Sequence, residues 1–206
     1  MKFTIWKPLY EEIVSDFGYS KGEDRKSAEI LVEARGTDDL SPLRGLKNKT
    51  VEIGGPYFSK SDLGITIAAG ASVSQILDKG VEPDLMVTDL DGDIELQRDL
   101  NLKGVPAVIH AHGDNIKKIK NWAEKFEGRV VSTCQCNPPE KGIYNFGGFT
   151  DGDRACFIAE HFGAEKVVLN GWDFDHPFES DNSEKLKKLR WAKKLINNLD
   201  ITIQKV

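Results

Sequence analysis

Three aspartates, Asp89, Asp91 and Asp93, alternate along a short stretch that directly follows the apolar run 85–87. If that run is a buried strand of an α/β sheet, it delivers carboxylates to the strand's C-terminal end, where such sheets bind ligands. Carboxylates held together repel one another unless a cation lies among them. Oxygen ligands favour Mg²⁺ or Mn²⁺, and Mg²⁺ held by one or two carboxylates commonly completes its shell with substrate phosphates. The stretch therefore predicts metal-dependent phosphate chemistry.

A turn of small residues follows the strand predicted at 64–68 and consists of Gly70, Ala71 and Ser72. Small residues let backbone N–H groups and a helix N-terminus approach an anion. The same residues would equally make an ordinary tight turn between a strand and a helix. We expect them to bind a phosphate, and the tight turn remains the alternative.

Two histidines and two polar residues, His110, His112, Asp114 and Asn115, follow the strand predicted at 105–110. The histidines are two positions apart, so in a strand their side chains project to the same side. Asp114 and Asn115 open a predicted helix, where either could act as a cap. We expect Asp114 on the metal and a histidine near the phosphates; the alternative is a cap beside a buried histidine.

A fourth cluster is rich in glycine and acidic residues and opens another predicted helix. Thr150 is a good N-cap, and Asp153 completes a pair resembling a capping box. Gly147 and Gly148, however, let the backbone come close to a ligand, and Gly152 lowers helix stability without an evident structural benefit. A binding role is therefore favoured here over simple capping.

Two further stretches carry weaker signals. Asp173 follows the strand predicted at 166–170, and we expect it to line the same cleft. Cys134 and Cys136 are one residue apart, which is not the spacing of a zinc knuckle, and the chain has no second pair.

The bulk properties exclude several classes of protein. The chain has 206 residues and a net charge of −5, enough length for one α/β domain with a real core. No basic cluster stands out, so nucleic acid is not expected as a partner, and no apolar run approaches the length of a membrane span. The N-terminus lacks the apolar segment of a signal peptide, and three cysteines argue against a disulfide framework, so we expect a cytoplasmic protein.

Strands and helices alternate after an N-terminal helical part, which predicts an α/β fold: a Rossmann-like, three-layer, mostly parallel sheet. We expect an N-terminal helical segment at 1–45 that packs on an α/β catalytic domain at 46–206. The predicted strands cover residues 50–53, 64–68, 85–88, 105–110, 129–132, 166–170 and 201–204.

The blocks that carry chemistry resemble two related families. Residues 67–92 resemble the core of thiamin pyrophosphokinases, and 150–155 is similar to their Thr-Asp-x-x-x-Ala element, but Thr88 and Gly92 replace a glycine and a serine. The closer resemblance, over about residues 50 to 180, is to archaeal 6-hydroxymethyl-7,8-dihydropterin pyrophosphokinases. The shared blocks are Asp-Leu-Asp-Gly-Asp, His-Ala-His-Gly-Asp-Asn and Gly-Gly-Phe-Thr-Asp-Gly-Asp-Arg-Ala. We also expect no thiamin-binding β-sandwich, which favours the pterin.

The resemblance implies Mg²⁺-dependent transfer of a diphosphoryl group from ATP to the pterin alcohol, giving AMP and the pterin diphosphate of folate- or methanopterin-type biosynthesis. Asp89, Asp91 and Asp114 would hold the metal, with Mn²⁺ as a substitute. Asp114 and Asp151 could add a second metal ion, and Asp114, Asp151 or Asp153 would activate the hydroxyl. Arg154 would stabilise transferred charge or pair with Asp151. The resemblance also implies that ATP or the acceptor contacts residues Gly70, Ala71, Ser72, Thr88, His110, His112, Asn115, Gly147, Gly148, Thr150, Asp153 and Asp173.

Other functions stay open. His110, His112 and Asp114 resemble part of the zinc motif of metallo-β-lactamase-fold hydrolases, although Asn115 replaces that family's next histidine. Residues 89–92 also resemble haloacid-dehalogenase-type phosphatases, and Asp89 with Asp91 could serve a sugar-nucleotide transferase. A nucleotide-sensing module is the alternative without catalysis. A homodimer is compatible with the sequence.

Overall fold

The computed structural model describes residues 3–37, 39–178 and 183–206. In these ranges the helices are α1 (Phe3–Phe17), α2 (Lys21–Arg35), α3 (Ser41–Arg44), α4 (Ser72–Asp78), α5 (Ile94–Leu102), α6 (Ile116–Trp122), α7 (Asp151–His161) and α8 (Ser183–Ile196). The strands are β1 (Thr50–Gly54), β2 (Ile65–Ala69), β3 (Leu85–Thr88), β4 (Ala107–Ala111), β5 (Val130–Cys134), β6 (Lys166–Asn170) and β7 (Thr202–Lys205).

The described strands form one parallel sheet in the order β5-β4-β3-β2-β1-β6-β7, which confirms the predicted α/β class. The sheet is entirely parallel, where the sequence predicted a mostly parallel one. β3 and β4 are buried on both faces, whereas the edge strand β7 is mostly exposed. This burial explains why β3 and β4 read as continuous apolar runs rather than as an alternating pattern. The helix that Asp114 and Asn115 were predicted to open is α6, which is short because 3₁₀ turns at Gly113–Asn115 and Ala123–Lys125 flank it.

Backbone contacts divide the chain into two compact units. Unit 1 contains residues 1–42 and 88–147, and unit 2 contains residues 43–87 and 148–206. The helices α1 and α2 therefore share a unit with β4 and β5, while the domain boundary expected near residue 45 stays a prediction. None of the described helices is long and apolar enough to cross a membrane.

A buried carboxylate organises the N-terminal helices of unit 1. Asp24 on α2 is 1% exposed, and its Oδ2 accepts hydrogen bonds from Tyr10 Oη at 2.7 Å and Gln135 Nε2 at 2.9 Å. Its Oδ1 accepts the backbone N–H of Gly113 at 2.8 Å. Burial, reinforced by the bond to Asp24, raises the pKa of the Tyr10 phenol, so Tyr10 remains a donor. The N-terminal helices thus hold the loop that follows β4.

A tryptophan in unit 2 explains a glycine that has no evident purpose in the sequence. The indole of Trp172 lies against Gly152 in α7 so closely that a Cβ at this position would overlap the ring. Trp172 Nε1 donates to the carbonyl of Ile53 at 2.8 Å, which fixes the indole at the end of β1. A Cβ on Gly55 would lie 2.6 Å from the carbonyl oxygen of Gly171, so the crevice between the ends of β1 and β6 is filled by the protein itself.

Replacing Asp24 with asparagine should destabilise the protein by about 1–3 kcal/mol, because the amide presents a donor to groups that are themselves donors inside the core. Urea unfolding measures this loss, and faster hydrogen exchange at the Gly113 amide would locate it. Glu33→Gln, an exposed change on the same helix, is the matched control and should stay within about 0.5 kcal/mol of wild type. Equal stability of the two variants would contradict the assigned role of Asp24.

Gly152→Ala should destabilise the protein by about 1–3 kcal/mol, since the added methyl group must displace the indole of Trp172. In an ordinary helix the same change stabilises by up to about 1 kcal/mol, so the sign of the effect is diagnostic. Gly45→Ala serves as control, because a Cβ at Gly45 has no heavy atom within 4 Å. Thermal unfolding should give a lower Tm for Gly152→Ala alone, and a raised Tm would show that Trp172 does not pack there as described.

Candidate active site

The loop that carries Asp89 and Asp91 is fixed by buried polar groups of unit 1. Thr88 Oγ1 donates to Gln97 Oε1 at 2.7 Å and accepts the N–H of Leu90 at 2.9 Å. Gln97 Nε2 in turn donates to the carbonyl of Asp91 at 2.6 Å. Thr88 and Gln97 are both fully buried, so Thr88, expected to contact a ligand, instead supports the loop.

The loop also contains a strained backbone position. Leu90, between the two aspartates, has a φ of +66°, in the left-handed region that residues with a Cβ seldom adopt. Such a conformation costs about 1–2 kcal/mol per residue. Its side chain is fully buried, and that burial offsets the strain. Backbone strain of this kind concentrates at functional sites.

Asn115 connects the ends of two strands through a saturated amide. Its Nδ2 donates to the carbonyls of Asp89 at 2.9 Å and His110 at 2.7 Å. Its Oδ1 accepts the N–H of His112 at 3.1 Å and the hydroxyl of Ser27 at 3.2 Å. Because every donor and acceptor of the amide is used inside the protein, Asn115 positions the loops, and the structure gives no support to its expected contact with a ligand.

The two aspartates face basic groups from the segment that follows β4. His112 Nδ1 accepts the N–H of Asp114 at 3.4 Å, which places the proton of a neutral ring on Nε2, 3.4 Å from Asp89 Oδ2. Asp91 Oδ1 contacts the ammonium group of Lys118 on α6. Asp114 is more remote: its Oδ2 lies 4.0 Å from His112 Nδ1, and its side chain is 65% exposed.

The donor chemistry of this loop suits magnesium. Among residues 3–37, 39–178 and 183–206, no group of three or more His, Cys, Asp and Glu side chains is arranged to hold a metal ion. Mg²⁺ does not need such a cage, because it is usually held by one or two carboxylates and completes its shell with water and phosphate. Asp89 and Asp91 offer oxygen ligands with exposed fractions of 26% and 57%, so they fit that mode of binding.

The histidines do not form a zinc site of the kind that a hydrolase requires. The rings of His110 and His112 lie side by side with centroids 6.1 Å apart, as their spacing in a strand predicts. His110 is 1% exposed, and its Nδ1 is 3.1 Å from Thr133 Oγ1, so this ring belongs to the core. The predicted alternative of a buried histidine beside a cap is therefore the better description of His110.

Asp93, the third aspartate of the stretch, has a structural role. Its Oδ1 accepts the N–H of Leu96 at 3.0 Å, which makes it the N-cap of α5. An N-cap satisfies one of the unpaired N–H groups of the first helical turn. Only Asp89 and Asp91 of the three therefore remain as candidate metal ligands.

The small-residue turn of unit 2 brings a carboxylate close to the backbone. Gly70 has a φ of +57°, and a Cβ there would lie 2.8 Å from Asp151 Oδ2. Gly70 N–H donates to the Val87 carbonyl at 2.8 Å, and Ser72 Oγ accepts the N–H of Ala69 at 2.9 Å. The Gly70 N–H and the Ser72 hydroxyl, which we expected to bind a phosphate, thus form hydrogen bonds within the protein, while the neighbouring Ala71 is exposed.

The start of α7 has the predicted capping box. Asp153 is fully buried, and its carboxylate accepts the N–H groups of Phe149 at 2.6 Å and Thr150 at 2.8 Å, together with the Thr150 hydroxyl. Burial raises the pKa of Asp153 against these hydrogen bonds. Arg154 is 2% exposed and donates from Nη2 to the Phe149 carbonyl at 3.0 Å. These three side chains stabilise the turn, and Arg154 is not presented to solvent as a catalytic cation.

The glycine pair before this helix serves packing. A Cβ on Gly148 would overlap the backbone of Arg154, so close approach of α7 requires this glycine. Gly147 has a φ of +92° and donates its N–H to Asn145 Oδ1 at 2.9 Å. We expected the absence of a side chain here to let a ligand approach the backbone. At Gly148 it instead lets α7 pack against the backbone.

Asp173 forms a local turn on the surface of unit 2. Its Oδ1 accepts the N–H groups of Asp175 at 2.9 Å and His176 at 3.1 Å, and His176 Nδ1 lies 2.9 Å from its Oδ2. The Asp175 N–H and the His176 ring lower the pKa of Asp173 to about 2. The carboxylate is therefore ionised at neutral pH and already engaged in its own turn.

Sequence reasoning missed the residues that support this site. Asp24 and Lys118 lie on helices whose polar faces resemble ordinary solvated surfaces, and no spacing marks either as different from its neighbours. Gln97 lies among the polar positions of α5, yet it is fully buried under the loop. The weak available signal was the density of polar residues in segments that flank the carboxylates.

Comparison with known proteins agrees with these blocks. A family model described as 6-hydroxymethylpterin diphosphokinase MptE-like matches residues 59–178. Three archaeal proteins named 6-hydroxymethyl-7,8-dihydropterin pyrophosphokinase are similar over nearly their whole length. That of Pyrococcus furiosus is 40% identical, covering 95% of this chain and 93% of its own.

The two other relatives are more distant in sequence but cover as much of the chain. That of Methanocaldococcus jannaschii is 37% identical over 99% of this chain and 98% of its own length. That of Methanothermobacter thermautotrophicus is 32% identical over 97% of this chain and 96% of its own length. The matched region contains Asp89, Asp91, His112 and Asp151. The chain therefore belongs to the MptE-like family of 6-hydroxymethylpterin diphosphokinases.

Proposed function

We propose that this protein transfers the diphosphoryl group of ATP to the hydroxymethyl oxygen of 6-hydroxymethyl-7,8-dihydropterin and releases AMP. The observation that carries the proposal is the loop with Asp89 and Asp91. The two carboxylates are partly exposed, while the side chains of Asn115 and Gln97 hold the backbone of the loop by hydrogen bonds. The names of the three archaeal relatives support the same activity.

The residues of unit 1 have the chemistry that the phosphates of ATP require. Asp89 and Asp91 would hold Mg²⁺, and a bound Mg²⁺ neutralises phosphate charge and orients the β- and γ-phosphates for in-line attack. Nε2 of His112 faces the same region and can donate an N–H to a phosphate oxygen. Positioning and charge neutralisation are most of what phosphoryl transfer needs.

The residues of unit 2 supply candidates for the acceptor. Asp151 is partly exposed beside Gly70, and its carboxylate can accept the proton of an attacking hydroxyl. Phe149 and Trp172 are half-buried and offer flat apolar surfaces of the kind that a pterin ring needs. We assign Asp153 and Arg154 to holding this segment in place and not to the chemistry itself.

The chemistry of the cysteines supports a reducing compartment. Cys134, Cys136 and Cys156 are all free thiols and all buried. Buried free thiols persist in the cytoplasm, where disulfides seldom form. We therefore place the protein there, with ATP and the pterin alcohol as its small-molecule partners.

Product analysis tests the reaction. Incubation with ATP, Mg²⁺ and 6-hydroxymethyl-7,8-dihydropterin should give AMP and the pterin diphosphate in equal amounts, and thiamin should be a poor acceptor. Chromatography of the nucleotides separates AMP from ADP. Formation of ADP, or of equal AMP without an acceptor, would refute the proposal and favour a hydrolase or another transferase.

Substitution of the aspartates tests the metal ligands. Asp89→Asn and Asp91→Asn should each lower kcat/KM about a hundredfold or more, because a metal ion contributes several kcal/mol of charge stabilisation. Asp93→Asn is the matched control: asparagine caps a helix as well as aspartate, so its activity should be near that of wild type.

The identity of the metal is tested with the same assay. Activity should return to metal-depleted protein with Mg²⁺ or Mn²⁺ and not with Zn²⁺, since the proposed ligands are carboxylate oxygens. Stoichiometric zinc bound through His110 and His112, with phosphoesterase activity, would instead support the hydrolase alternative.

A further inference from the structure

We infer that Lys118 binds phosphate: it pairs with Asp91 in the metal-free protein and transfers to the nucleotide when a divalent cation takes its place on the carboxylate. This inference rests on the proposed function, because it assumes that Asp91 is a metal ligand. It adds a residue that neither the sequence motifs nor the resemblance assigned.

The starting observation is the ion pair itself. Lys118 Nζ contacts Asp91 Oδ1, and the two side chains are 40% and 57% exposed. Lys118 lies in the first turn of α6, and that helix begins directly after the loop that carries His112 and Asp114. One short segment therefore directs two basic groups at the two aspartates, His112 at Asp89 and Lys118 at Asp91.

The ion pair is suited to exchange. An exposed pair of this kind is weak, because water screens both charges and the lysine loses side-chain freedom. A divalent cation carries twice the charge of the ammonium group and therefore competes well for the carboxylate. Once the cation is bound, it repels the ammonium group, which must turn to another partner.

The triphosphate of ATP is the natural new partner. The ammonium group starts in contact with a proposed ligand of the cation, so phosphates bound to that cation come within reach of the flexible lysine side chain. Lysine is well suited to this role as a compact charge with several rotatable donors. Before the nucleotide binds, the same lysine lowers the repulsion that Asp91 experiences from neighbouring carboxylates.

The test compares Lys118→Gln with Lys117→Gln, an exposed lysine of the same helix turn. Binding of Mn²⁺ without nucleotide is measured by electron paramagnetic resonance, and binding of the magnesium complex of α,β-methylene-ATP by calorimetry. Lys118→Gln should bind Mn²⁺ about three- to tenfold more tightly, because a competing cation is gone, and the nucleotide about tenfold more weakly, because a phosphate contact is lost. Lys117→Gln should change both affinities less than about twofold.

The opposed signs make the outcome decisive, since a general loss of structure would weaken both ligands. Unchanged or weaker Mn²⁺ binding would overturn the exchange, and unchanged nucleotide binding would overturn the phosphate contact. Lys118→Arg keeps the charge and should restore nucleotide affinity, which guards against misfolding of the glutamine variant. If wild type forms ADP instead of AMP, the proposed function fails, while the opposed shifts would still establish the role of Lys118.

Discussion

The buried amide of Asn115 is the interaction on which the candidate site depends. It joins the carbonyl of Asp89, at the end of β3, to the carbonyl of His110 and the N–H of His112, at the end of β4. A buried polar group left without partners is expensive, so this amide tolerates only one arrangement of the two loops. The Ser27 hydroxyl completes the set and extends it to the N-terminal helices. The geometry of the carboxylates is thus set by a neutral, saturated group rather than by the carboxylates themselves.

Different groups hold the backbone of the loop and contact the side chains of its two aspartates. A carboxylate that binds a metal must be ionised and must keep at least one oxygen accessible. In this protein the backbone of Asp89 and Asp91 is held by Thr88, Gln97 and Asn115, while their side chains contact His112 and Lys118. Buried Asp153 is the contrasting case. Its carboxylate accepts hydrogen bonds within a turn, so it is less available to bind a metal or a ligand. Burial and a full set of hydrogen bonds therefore distinguish an aspartate that supports the fold, such as Asp153, from aspartates that are candidates for ligand binding, such as Asp89 and Asp91.

The fold and the main polar clusters could be predicted because their signals are local. The apolar run of β3 and its abrupt end at Asp89 are visible within a few residues, as is the capping pair of Thr150 and Asp153. Roles that depend on distant partners could not be read in the same way. Gly152 is required by Trp172, twenty positions later in the chain, and burial of Asp24 requires groups from three separate segments. Family blocks mark which residues matter, but they do not separate a ligand from its support.

In the proposed reaction, Asp89 and Asp91 would hold a cation that also binds the β- and γ-phosphates of ATP. The most direct measurement is the electron paramagnetic resonance spectrum of bound Mn²⁺ with α,β-methylene-ATP carrying oxygen-17 on those two phosphates. Oxygen-17 broadens the Mn²⁺ lines only when the labelled oxygen is a direct ligand. If the two aspartates hold the cation, both labels should broaden the Mn²⁺ lines in wild type, and the broadening should be lost in Asp89→Asn and Asp91→Asn. Bound Mn²⁺ and nucleotide without broadening, or broadening that persists in both variants, would contradict it.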